Sequence, residues 1–141
     1  MYQKILLPVD LAQEGFWRKA GSTAMDMARL WGGEIRVLYV IPAINEMVAQ
    51  YLPPHAQEKA TTKYSANLEA FATQNFSADL QVSTLVRTGE VYKGILREAE
   101  KWGADAVVMA SHCPGTESFL LGKNAARVVR HAMCSVFIIR E

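Results

Sequence analysis

Cysteine is nearly absent from this chain, with Cys113 and Cys134 the only two in 141 residues and neither in a CxxC pair. That excludes a disulfide framework and a zinc ribbon, and leaves two free thiols as the expectation. No stretch approaches the roughly 20 apolar residues needed to span a bilayer. The opening Met1–Lys4, followed by a short apolar run that stops at Pro8, lacks the long apolar core and cleavage site of a signal peptide. A cytoplasmic protein without a membrane partner is expected. Charge of one sign is also missing: the formal net charge is +1, from 15 bases and 14 acids spread along the chain. Such a balance provides no field to hold nucleic acid non-specifically. Catalytic signatures are lacking as well. There is no Gly-x-Ser-x-Gly elbow, no Walker-type phosphate loop and no cluster of His, Cys and carboxylate ligands, so no catalytic residue and no metal site is assigned.

What the chain does have is hydrophobic residues, half of the total. That suffices for one core and one domain over residues 1–141. Ile5–Val9, Ile35–Ile41, Ala106–Ala110 and Ser135–Ile139 are short apolar, β-branched runs without alternation, the mark of strands covered on both faces. Leu80–Val86 alternates and reads as a strand nearer an edge. Between these runs lie helical patterns. Phe16–Trp31 places Ala20, Ala24, Met27, Ala28 and Trp31 three or four apart and stops at Gly32-Gly33. His55–Phe76 follows a Pro53-Pro54 break. Val91–Trp102 carries Val91, Ile95, Leu96 and Ala99 on one face, with Lys93, Arg97, Glu98 and Lys101 elsewhere, and Ala125–Ala132 is shorter. Alternation of five strands and four helices predicts an α/β fold, a doubly wound parallel sheet with helices on both faces. Ligands of such sheets sit beyond the carboxyl ends of the strands.

Those strand ends carry the candidate residues. Pro8-Val9-Asp10 puts a carboxylate at the end of the first strand, where it either binds a ribose hydroxyl or a metal-bound water, or caps the next helix. The second strand ends at Tyr39-Val40-Ile41, beside the same crevice, where an adenine could be read by main-chain groups of Val40, a contact that requires nothing of the side chain. Met109 to Val129 leads from a strand end through small and polar residues to Gly122 and a helix start, a candidate phosphate cradle. Lys123 stands in the first turn, where the helix dipole opposes a cation by roughly 0.3–1 kcal/mol unless an anion binds or solvent screens the charge. His112 reads mainly as a surface loop residue, and Arg127 and Arg130 as a solvated helix face. In Thr88-Gly89-Glu90, Thr88 is expected to cap the following helix and Gly89 to supply backbone freedom.

KILLPVD at the start, LYVIP at the second strand, GADAVVMASH before the loop and LLGKNAARVVRHAMCSVFIIR at the end resemble the universal stress protein family, in order and over essentially the whole chain. The resemblance implies a single Rossmann-like five-stranded parallel sheet of order 3-2-1-4-5. It also implies a homodimer joined through Ser135–Ile139, and ATP, with or without Mg²⁺, as the bound cofactor. Many members carry glycine, two residues, glycine, nine residues, then glycine and a serine or threonine. Here Ala110 and Cys113 stand for the two leading glycines, the spacer to Gly122 is one residue shorter, and Lys123 replaces the hydroxyl residue. This is similar to a subgroup with a shortened ATP-binding loop.

Carried over residue by residue, Pro8, Val9 and Asp10 would flank adenine and ribose, Val40 would contact adenine, and Met109 and Ala110 would wall the sugar. Ser111, His112 and Cys113 would lie near the phosphates, held by Gly122, Lys123 and Asn124. The function implied is an ATP-binding stress-response dimer whose occupancy changes a surface for a protein partner. The alternatives are a nucleotide-free dimeric module, in which the substituted loop fills the site, and a slow ATPase using Asp10, Mg²⁺ and His112.

Overall fold

Five parallel strands form one sheet of order β3-β2-β1-β4-β5: β1 Lys4–Pro8, β2 Glu34–Pro42, β3 Gln81–Gly89, β4 Ala106–Ser111 and β5 Ser135–Arg140. The computed structural model describes residues 1–111 and 121–140. Helices α1 Arg18–Trp31, α2 Glu46–Ala49, α3 Ala56–Asn75, α4 Val91–Trp102 and α5 Lys123–His131 connect the strands.

The uninterrupted apolar strands are explained by two cores. Ile5, Leu7, Ile35, Val37, Tyr39, Ala106 and Val108 point to one face, against α1 and α3. Leu6, Leu38, Val40, Val107 and Met109 point to the other, against α4 and α5. Period-two alternation thus sends successive apolar residues into opposite cores. Among the described residues β3 pairs only with β2, and it lies at an edge, as its polar alternation predicts.

Helix ends follow the local chemistry. Gly32 (φ +63°) ends α1 and Gly103 (φ +74°) ends α4, both in the left-handed conformation that glycine adopts without strain. Phe16 and Trp17 belong to a 3-10 turn, Glu14–Trp17, so α1 starts two residues later than its apolar spacing suggested. α5 starts two residues earlier, at Lys123. α2 has no counterpart in the sequence reading; Asn45 caps it, accepting from the Met47 amide at 2.9 Å. Thr88 is not a cap. It lies in β3, and the N-cap of α4 is Glu90, without a side-chain cap bond. Gly89 does use its freedom, at φ +139°.

Glu98 lies off the apolar stripe of α4, yet it is 2% exposed. Its Oε1 accepts from Arg36 Nη1 at 2.7 Å, and its Oε2 from Arg87 Nη2 at 2.7 Å and Nε at 3.0 Å. Arg36 also lies over the Trp102 ring, 4.4 Å from its centroid. The buried charge is tolerated because both carboxylate oxygens are paired. Cys134 is a free thiol whose pKa is pushed up by burial. No helix of the described residues is long and apolar enough to cross a membrane.

Candidate functional site

The crevice at the carboxyl end of the sheet exists because neighbouring strands stop at different heights. β1 ends at Pro8, paired with Leu38, whereas β2 runs on to Pro42. In a parallel sheet a residue's N–H and C=O point to the same side, and sides alternate along the strand. Even-numbered residues of β2 face β1, as the Glu34 N–H to Gln3 O (2.8 Å) and Val9 N–H to Leu38 O (2.9 Å) bonds show. Odd-numbered ones face β3, as the bond from the Ala43 N–H to Gly89 O shows. Val40 therefore turns its amide and carbonyl toward β1 after β1 has ended. The β1–β2 ladder ends at the Pro8–Leu38 pair, and neither group bonds a backbone atom beyond it among the described residues. A donor and an acceptor sit side by side on the wall of an open cleft.

That cleft encloses about 220 Å³. Pro8, Val9 and Asp10 come from the end of β1, Leu38, Tyr39, Val40 and Pro42 from β2, and Met109 and Ala110 from β4. Gly122, Lys123, Asn124 and Ala125 close it from the start of α5. The structure thus brings nine of the sequence-predicted residues onto one wall system: Pro8, Val9, Asp10, Val40, Met109, Ala110, Gly122, Lys123 and Asn124. Ser111 ends β4 in register with Arg140 and is outside the lining. His112 and Cys113 lie outside the described residues.

Asp10 does not cap α1. Its Oδ1 accepts from the Ala12 amide at 2.9 Å and its carbonyl from the Gln13 amide at 3.1 Å, a local turn that holds the side chain at the exposed rim. Oδ2 has no hydrogen-bond partner among the described residues. The Tyr39 phenol, packed on Tyr64 with ring centroids 5.2 Å apart, has its pKa raised by burial first, then by Tyr64 and Asp10. It remains a neutral hydroxyl at physiological pH.

The opposite wall is electropositive. α5 begins at Gly122 with no side-chain cap and no acidic residue in its first turn, so its leading amides lack intrahelical partners. Gly122 has φ −58°, so it contributes the absence of a side chain rather than a left-handed turn. α4 likewise starts without a side-chain cap. Beside these two helix starts Lys93 binds Glu90 at 2.8 Å, and Arg127 stacks on Tyr92 at 4.8 Å. Lys93 holds the Glu90 carboxyl below the usual range, first through that hydrogen bond, and Arg127 and Lys123 add smaller pulls. Three cations thus surround one carboxylate at this end.

Sequence reasoning missed Gln13, Trp17, Val91 and Ile95, all of which line the cleft. Each sits in or beside a helical pattern and reads as ordinary core or turn. Trp17 packs edge-on against Phe71, centroids 4.7 Å apart, as part of the α1 and α3 core. Only the early end of β1 turns such residues into a wall.

The model of the Universal stress protein family matches residues 1–140. The chain belongs to that family. Universal stress protein G of Salmonella typhimurium is 32% identical over 148 residues, spanning 99% of this chain and all of that one. Among solved structures, MJ0577 gives a TM-score of 0.82 at 22% identity, covering 100% of this chain and 97% of that chain. A universal stress protein solved in complex with cAMP gives 0.63 at 19%, covering 99% and 97%. At such identities the two structures bear on the fold, which they share with this family member from end to end.

Proposed function

We propose that this universal stress protein binds an adenine nucleotide, ATP, in the cleft, and that occupancy changes a surface read by a protein partner. The observation that carries the reading is the amide and carbonyl of Val40, without a backbone partner among the described residues, standing across one cleft from the uncapped start of α5 with Lys123. A base edge needs an adjacent donor and acceptor. A phosphate chain needs unpaired amides and a cation. In this reading Val40 takes the adenine edge through its main chain, and Asp10 Oδ2 accepts from a ribose hydroxyl or holds the water shell of Mg²⁺. Lys123 and the amides of residues 123–125 take phosphate oxygens. The family likeness to a protein solved with cAMP supports a nucleotide as ligand. Dimerisation through Ser135–Ile139 belongs to the same proposal. β5 is an edge strand whose Val136, Phe137, Ile138 and Ile139 are only partly covered, and such an edge favours pairing with a second copy.

Calorimetry on nucleotide-stripped protein tests the reading with ATP, ADP and cAMP as titrants. Saturable heat with ATP is the expected result. No heat at millimolar ATP overturns it.

A further inference from the structure

Gly94 lies inside α4, where glycine is the poorest helix former after proline, and it neither ends the helix nor takes a positive φ. Its surroundings explain it. A Cβ built on Gly94 would stand 2.9 Å from Val40 Cγ2 and 3.1 Å from Val40 Cγ1. Contacts that short force a shift, and Val40 is 5% exposed, packed with Ile95, Ala99 and Met109, so its side chain has little room to yield. The missing side chain lets the first turns of α4 seat directly on the overhanging end of β2. Val91 and Ile95, on either side of Gly94 in α4, line the same cleft.

We infer that Gly94 is a positioning residue of the cleft: by admitting Val40 against α4, it fixes where the free amide and carbonyl of Val40 are presented. The inference rests on the nucleotide reading given above. A side chain at position 94 pushes β2 and α4 apart where β2 has outrun β1 and Val40 is held from the β3 side alone, in register with Arg87. Displacement by a fraction of an ångström misaligns both groups at once.

The test uses Gly94→Ala, Val40→Ala and the double variant, because Val40→Ala removes the two methyl carbons that the new Cβ would meet and keeps the main chain that does the binding. Gly94→Ala is expected to raise the Kd for ATP on the order of tenfold, although alanine is the better helix former. The double variant is expected to recover most of that loss. Gly94→Ala binding as tightly as the unaltered protein overturns the inference, and so does a double variant no better than Gly94→Ala. If Gly94→Ala does not accumulate as folded protein, a double variant that folds and binds supports the inference, and one that fails to fold overturns it. The ¹H–¹⁵N spectrum without nucleotide separates this from the nucleotide reading. The Val40 amide should move in Gly94→Ala relative to the unaltered protein, and in the double variant relative to Val40→Ala alone it should move far less. A Val40 amide that ignores Gly94→Ala overturns the inference even if ATP binds. An unaltered protein without heat on ATP overturns the nucleotide reading and leaves that amide to decide the role of Gly94.

Discussion

Glu98→Gln is the substitution whose effect can be worked most fully from the structure. The carboxylate accepts three charge-assisted bonds from Arg36 and Arg87 at 2.7–3.0 Å and is itself almost fully buried. Removing one member of a buried ion pair destabilises by about 3–5 kcal/mol, because the surviving charge is left uncompensated. Here two guanidinium groups survive, but their side chains keep 25% and 22% exposure, so water takes back part of their charge. The amide of glutamine also turns a donor toward a donor. The net expectation is a loss of about 2–4 kcal/mol, which lowers Tm by about 10 °C in a domain of this size. Urea unfolding measures it as a shift of the midpoint with unchanged slope. A loss under about 1 kcal/mol would refute the claim that the Glu98 carboxylate is buried and held by both arginines. A triple Arg36→Met, Arg87→Met, Glu98→Met variant sharpens the test. It should be more stable than Glu98→Gln, since an apolar replacement leaves no buried charge unpaired.

Two other perturbations follow from the same geometry. Gly21→Ala would place a Cβ 2.4 Å from Trp17 Cζ3 and 2.5 Å from Cε3; overpacking of about 1–3 kcal/mol outweighs the helix gain, and near-ultraviolet circular dichroism should report a displaced indole. Lys123→Ala is expected to weaken ATP binding roughly fivefold at low salt, about 1 kcal/mol for a partly screened charge-assisted bond. Calorimetry at low and high salt should show the difference shrinking as salt rises, and a salt-independent loss would argue against a charge contact.

The sheet was legible because each buried strand faces two cores, so it appears as an apolar run without alternation, and because Gly32 and Gly103 mark their helix ends. The two ends of the cleft were legible for a chemical reason: Asp10 and the Gly122-Lys123 pair are unusual residues for the places they occupy. The walls between were not. Val91, Ile95 and Trp17 differ in no way from other core residues until the lengths of β1 and β2 are known. Glu98 was hidden because its partners, Arg36 and Arg87, lie 62 and 11 residues away on two different strands. Thr88 misled because the strand continues through it, in register with Ile41, and takes the residue that would have capped.

The unequal lengths of β1 and β2 have a bearing on how such a site is inherited. The groups that Val40 presents are peptide atoms, and any residue but proline would present the same ones. Drift in the identity of residue 40 reshapes the wall without erasing its donor and acceptor. Turnover of the side chain at position 40 is therefore a poor way to lose these two groups. An insertion that extended β1 by two residues would abolish the site, by giving the Val40 amide and carbonyl a strand to pair with while the wall residues of β2, β4 and α5 stayed the same.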